Sequence, residues 1–153
     1  MNATTANNAL LILAQSDTTA GFLCENPITL NVAKKRDENK PSLREVGNFQ
    51  TLKGFVRIPK NHRIFVRRAK KTTFIYPNTC AFRVISQTHP HHELLELFSA
   101  PLYSSSANLH KQNFDKSKAL RCVDLLMLDS RDLRQRESSH IFKLSKLKKY
   151  KIR

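Results

Sequence analysis

The sequence predicts a single α/β domain built on a mixed sheet. Three observations carry this. Short apolar or β-branched runs, each long enough for one strand, alternate along the chain with short helical segments bounded by caps and prolines. At 153 residues the chain can bury one core and is too short for two comfortable ones. No repeat, linker or low-complexity tract divides it, so residues 1–153 read as one domain.

Residues 10–15 are an apolar run ending in Gln15, read as a buried strand that feeds the polar turn Ser16-Asp17-Thr18-Thr19-Ala20-Gly21. Asn26-Pro27 supplies an N-cap and a proline at the first helical position, and the helix it starts ends near the basic run Lys34-Lys35-Arg36. Residues 37–54 are polar and irregular, with Lys40-Pro41 and Gly47 marking loop. A short basic helix with a narrow apolar face follows Pro59, carrying Ile64, Phe65, Arg67 and Arg68. Residues 72–76 and 81–86 are β-branched and aromatic across Pro77-Asn78, which predicts a strand pair. Pro90 opens a helix whose apolar face is Leu94, Leu95, Leu97 and Phe98, and Ala100-Pro101 ends it. A short strand over 102–105 then delivers Ser106-Ala107-Asn108, and a helix spans 114–121. Residues 123–128 read as a buried strand, and 140–144 and 148–153 as two last strands.

Charge is the unusual term in the composition. Lys and Arg number 27 against 12 acidic residues, a formal net charge of +15, so the surface attracts polyanions at long range and loses that attraction as salt rises. No stretch approaches the roughly 20 apolar residues a membrane-spanning helix needs. Residues 10–14 are too short for a signal peptide and lack a basic leader, so a soluble cytoplasmic protein without membrane contact is expected. Cys24, Cys80 and Cys122 are odd in number and far apart, forming neither a disulfide framework nor a metal knuckle. The crowded His89, His91 and His92 lack a third well-spaced ligand and read as surface histidines, so no protein-held metal is expected.

With only Gly21, Gly47 and Gly54, the chain holds neither of the two standard glycine-rich phosphate loops. Any phosphates must be held by side chains, and Lys34, Arg36, Ser106 and Asn108 suit them. Arg offers a planar fork, Lys a point charge, and Ser and Asn short donors or a metal-bridging oxygen.

Together these residues resemble the YrdC-like family, the threonylcarbamoyl-AMP synthases of tRNA modification. The family's Lys-x-Arg and Ser-x-Asn motifs are matched by Lys34, Arg36, Ser106 and Asn108. Its Thr-Asp/Glu-Thr-x-Tyr-Gly segment is similar to residues 16–21, its Lys-Pro to Lys40-Pro41, its Thr-x-Ile strand to Thr73-Phe74-Ile75, its Arg-Val to Arg83-Val84 and its late Ser-Thr-Ile-Val to Ser139-His140-Ile141-Phe142. In order, these cover residues 10–153. The chain departs from the pattern at Ala20, where the family has tyrosine, at Ala69-Lys70-Lys71 in place of Pro-Gly-Pro, and at Glu45 in place of a histidine. The helix before Lys34 is also short, and no counterpart of the extra C-terminal domain of some relatives is expected.

The resemblance implies a twisted mixed sheet with flanking helices, and synthesis of threonylcarbamoyl-AMP from L-threonine, bicarbonate and ATP with release of pyrophosphate. Lys34, Arg36, Ser106 and Asn108 would bind ATP, and Thr18, Arg83 and Ser139 would line the threonine side. Mg²⁺ would bridge the phosphates. No protein nucleophile is implied, since positioning and electrostatic stabilisation suffice. The implied partners are tRNA and the machinery that transfers the threonylcarbamoyl group to it.

Two other readings stay open. A noncatalytic module on the same fold could bind structured RNA or tRNA by its shape, through Arg67, Arg68, Lys70 and Lys71 in the basic segment 60–71 and through the basic segment 143–153. A phosphate-binding enzyme outside tRNA modification would keep the pocket and change the acceptor.

Overall fold

The computed structural model describes residues 9–109 and 111–153, which form nine strands in one mixed sheet with five short helices. In chain order these are β1 (Ile12–Gln15), β2 (Ala20–Cys24), α1 (Pro27–Ala33), β3 (Leu43–Val46), α2 (Phe49–Phe55), α3 (Arg63–Arg68), β4 (Thr72–Ile75), β5 (Ala81–Val84), α4 (His91–Glu96), β6 (Leu102–Ser106), α5 (Lys116–Cys122), β7 (Leu125–Met127), β8 (His140–Leu144) and β9 (Lys149–Lys151). A single 3₁₀ turn, Lys60–His62, leads into α3.

Across the sheet the strands run β7-β1-β2-β6-β3-β5-β4-β8-β9. The pairs β7 with β1, β3 with β5 and β4 with β8 are parallel, and the remaining neighbours are antiparallel. This order brings segments distant in sequence together at the centre. Glu45 stands opposite Arg83, Leu43 opposite Ser104, and Thr73 opposite Ile141.

Alternation along the strands feeds three apolar clusters. Leu11, Leu13, Phe22 and Cys24 pack with Leu30 of α1 and Ala119 of α5. Ile12, Ala14, Leu23, Ile85 and Leu102 pack with Leu94 and Leu95 of α4. Phe74, Phe82 and Val46 pack with Leu52 of α2 and Val66 of α3. Each fully buried Leu, Ile or Phe contributes roughly 1.5–3 kcal/mol. Phe65 fixes α3 by meeting Phe74 edge-on at 5.5 Å and Phe142 at 5.1 Å between ring centroids.

Three sequence expectations are corrected. The stretch 37–54 holds β3 and α2. β3 was hidden because Arg44 and Glu45 break its apolar pattern, and α2 because its short apolar face centres on Leu52. Residues 123–128 do not form a buried strand: β7 is a sheet edge, with Leu125 and Leu126 partly exposed and Leu128 at 65% exposure. His91 and His92 are buried, not at the surface. His92 Nε2 donates to Gly47 O at 2.9 Å, and a Cβ at Gly47 would lie 2.8 Å from that nitrogen, so any side chain there would push the His92 ring off this contact. Cys24, Cys80 and Cys122 are free thiols.

Candidate functional site

One cleft of about 970 Å³ opens over the centre of the sheet. Thr18, Lys34, Arg36, Arg83, Ser106, Asn108 and Ser139, drawn from five separate stretches of chain, all line it.

Its outer wall is built from the end of α1. The Asn26 side chain caps the helix by accepting from Ile28 N at 2.8 Å, Pro27 fills the first turn, and Lys34 ends the helix. Lys35 then takes a left-handed conformation, φ 52°, and turns the chain back. The return is pinned by Asn31, whose Nδ2 donates to Glu38 O at 2.8 Å and Lys40 O at 2.9 Å while its Oδ1 accepts from Arg36 Nε at 2.7 Å. Arg36 is thereby aimed at β6, donating to Ser105 Oγ at 3.3 Å and to Ser42 Oγ at 2.9 Å. Lys34 Nζ donates to Ser106 O and lies 3.4 Å from Ser106 Oγ. Asn108 lines the same wall, with its Nδ2 engaged by Gln112 O at 2.7 Å.

Neither Lys34 nor Arg36 has an ion-pair partner among the described residues. Burial, with Arg36 and Lys40 nearby, pulls the Lys34 ammonium down to about 8, and burial also lowers Arg36. An anion would restore what burial has cost both groups.

The inner pocket is arranged differently. Arg83 Nη2 donates to Glu45 Oε1, and Arg83 Nε lies 3.0 Å from Asp17 Oδ1. That second pair is not aligned as a hydrogen bond, and both atoms lack a hydrogen-bond partner among the described residues. Glu45 is fully buried and also accepts from His91 Nε2 at 2.6 Å and Ser104 Oγ at 2.9 Å. Burial pushes its carboxyl up, but Arg83 and His91 outweigh burial and hold it down at about 2. Asp17 is raised, because burial exceeds the pull of Arg83.

Hydroxyls line the rest of the site. Thr18 sits in a turn closed by Ser16, whose Oγ donates to Thr19 O at 2.7 Å and lies 3.1 Å from Thr18 Oγ1. Arg131 clamps that turn by donating to Ser16 O at 2.9 Å and Gln15 O at 2.8 Å. Ser139 Oγ and Thr73 Oγ1 share a hydrogen bond of 2.9 Å, and Arg153 Nε donates to Ser139 O at 3.0 Å.

Arg67, Arg68, Lys70 and Lys71 lie outside the cleft and are exposed. The two basic segments form one surface: His62 Nε2 donates to Ser145 O at 3.1 Å, and Lys149 Nζ stands 3.9 Å from the Phe65 ring centroid. Among the described residues no group of three His, Cys, Asp or Glu is placed to hold a metal ion, and no helix is long and apolar enough to cross a membrane.

The sequence assigns no site role to Asn31, Asp17, Glu45 or His91, and gives Arg153 only to the basic segment 143–153, although it also lines the cleft. Asn31 carried a usable signal, a weak helix former flanked by Leu30 and Val32. The meeting of Glu45 with His91 depends on tertiary packing and left no local trace.

The fold matches solved structures. P. abyssi Sua5 in complex with L-threonine gives a TM-score of 0.74 at 17% identity, covering 94% of this chain and 50% of that one. E. coli YciO gives 0.74 at 13% identity, covering 95% and 82%. Full-length HypF, in a phosphate- and nucleotide-bound form, gives 0.70 at 16% identity, covering 94% and 26%. All three carry YrdC/Sua5 domains. The chain has the YrdC-like fold. It spans about half the length of Sua5 and a quarter of HypF. No protein-family model matches the sequence, and no curated protein does. On a YrdC-like sheet, the cleft falls where β2, β6, β3, β5, β4 and β8 all contribute residues.

Proposed function

We propose that the chain is a threonylcarbamoyl-AMP synthase-like enzyme. The observation that carries this reading is the convergence of buried Lys34 and half-buried Arg36, neither with an ion-pair partner among the described residues, on Ser105 and Ser106, in a cleft shared with Thr18, Arg83 and Ser139. Sua5 in complex with L-threonine has the same fold, which supports threonine as the amino acid.

In the proposed reaction the threonine amine adds to bicarbonate with loss of water, giving a carbamate. A carbamate oxygen then attacks the α-phosphorus of ATP in line, the bond to the bridging oxygen breaks, and pyrophosphate leaves. Negative charge grows on the phosphates, and Lys34 and Arg36 offset it from fixed positions. Thr18, Arg83 and Ser139 line the amino-acid side and orient the carbamate. Mg²⁺ fits as a companion of the nucleotide, since the neutral oxygens of Ser106 and Asn108 suit a hard cation held mainly by phosphate.

Pyrophosphate release with L-threonine, bicarbonate and ATP, omitting each in turn, tests the reading. Release should need all three and fall at least tenfold in Arg36→Ala. Release independent of threonine, or none under any condition, removes it.

The second reading, binding of structured RNA such as tRNA, is supported by the joining of the basic segments 60–71 and 143–153 across the contact between α3 and the β8–β9 hairpin. It is compatible with the first, with the cleft making the adenylate and this exposed face meeting the acceptor RNA.

A further inference from the structure

We infer that Glu45 is a specificity-determining residue of the amino-acid pocket: it occupies the Arg83 guanidinium from within the protein, so the pocket gives a ligand's free carboxylate little advantage over a neutral group. The inference rests on the reading of the cleft as an amino-acid and nucleotide site, and concerns only how its amino-acid half selects.

An arginine that recognises a free carboxylate does so with an open two-pronged face and unopposed charge. Arg83 has neither. Glu45 takes Nη2, and Asp17 lies 3.0 Å from Nε. Arg83 reaches the cleft, whereas Glu45 and Asp17 lie behind it and are not part of the lining. The carboxylates are therefore part of the protein's interior and do not lift away with solvent. Glu45 is held in place by two further donors, Ser104 at 2.9 Å and His91 at 2.6 Å, and is ionised at neutral pH. Glu45 alone cancels the formal charge of Arg83, and ionised Asp17 would turn the cluster towards negative. An incoming carboxylate meets at most one remaining edge of the guanidinium and no net positive charge.

The other groups near Arg83 favour a different ligand chemistry. Thr18, Thr73 and Ser139 present hydroxyls, suited to a ligand hydroxyl or amine. The pocket therefore accepts small hydroxylated amines as a class, amino alcohols as readily as the corresponding amino acid. The carbamate-forming amine is common to both, so the proposed chemistry is unaffected by the choice.

The test compares L-threonine with L-threoninol, which replaces the carboxylate with a hydroxymethyl group. Binding of each to the full chain in the presence of Mg²⁺-ATP is measured by calorimetry, with ATP binding alone as a separate arm. The inference expects threonine to bind no more than tenfold tighter than threoninol in the unmodified protein. Glu45→Gln keeps the side chain's shape and releases the Arg83 charge. It should raise the threonine-to-threoninol affinity ratio at least tenfold and lower the threonine KM in pyrophosphate release with little change in kcat. Threonine binding more than tenfold tighter in the unmodified protein overturns the inference. So does an unchanged ratio in a folded Glu45→Gln variant, the result expected of a purely structural ion pair. If Glu45→Gln does not fold, the unmodified protein's ratio decides. If the unmodified protein binds neither compound, the variant decides, and threonine binding that appears only there supports the inference. Failure of the ATP arm speaks against the nucleotide reading and is read separately.

Discussion

The outer wall and the inner pocket of one cleft are both built around cations withdrawn from solvent, Lys34 and Arg83 buried and Arg36 half-buried, yet only the inner one is neutralised by the protein itself. Lys34 and Arg36 face neutral oxygens of Ser42, Ser105, Ser106 and Asn31, whereas Arg83 faces Glu45 and Asp17. The titration shifts differ accordingly. Lys34 is pulled down to about 8 because burial penalises its charge, and Glu45 is held near 2 because its charge is matched. A buried cation left without an anion invites an anionic ligand, while one that is matched from behind holds the fold and filters what enters.

Breaking the inner cluster should have the largest effect. Arg83→Met leaves Glu45 and Asp17 buried without their cation and should cost about 3–5 kcal/mol of stability in urea unfolding. A loss below ~1 kcal/mol would mean that Arg83 is not matched as described.

Acid comes next. Glu45 titrates at 4.5 when unfolded and at about 2 when folded, so its contribution is fully present above 4.5 and is lost as pH falls towards 2. Unfolding at pH 6, 4 and 3 should show a progressive loss that Glu45→Gln no longer shows. An identical acid dependence in that variant would place the loss elsewhere.

The wall should show a slope of the same sign at alkaline pH, there because an unfavourable buried charge is relieved and not because a favourable one is gained. Between about 8 and 10.5 the unfolded chain keeps the Lys34 proton that the folded chain has released, so this group makes stability rise with pH across that window. The lost charge should also weaken ATP binding, by roughly 1 kcal/mol between pH 7.5 and 9. Lys34→Arg keeps its charge and should flatten that dependence. A slope unchanged in Lys34→Arg would show that the ATP dependence does not arise at Lys34.

The smallest effect on folding is expected from the exposed basic surface. Replacing Arg67, Arg68, Lys70 and Lys71 together should leave stability nearly unchanged, within about 0.5 kcal/mol per site. The same change should weaken tRNA binding and flatten its salt dependence. For roughly six phosphates the unmodified protein should show a log–log slope of about −4 to −5. Salt-independent binding, or binding unchanged in that variant, removes the RNA reading.

Much of this arrangement was legible in the sequence because it rests on local signals. Asn26-Pro27 marked the start of α1, the apolar run at 10–15 marked β1, and the polar motifs marked residues that the sheet order gathers into one cleft. What stayed hidden depends on long-range partners. Glu45 looked like a polar interruption in a loop because nothing within four residues reveals Arg83 across the strand or His91 on α4. The histidine run looked solvent-exposed for the same reason. β7 looked buried because its leucines resemble those of a central strand, and only the strand order shows that one side of it lacks a neighbour.

The contrast between the two regions is tested most directly by titrating Mg²⁺-ATP against the unmodified protein, Lys34→Met and Arg36→Ala, with unfolding measured on the same samples. The account predicts that each substitution weakens ATP binding at least about tenfold, ~1.4 kcal/mol, while Lys34→Met holds or slightly raises stability through the loss of an unmatched buried charge. ATP affinity unchanged in both variants would contradict it, and the cations of the outer wall would then have no anionic ligand in ATP.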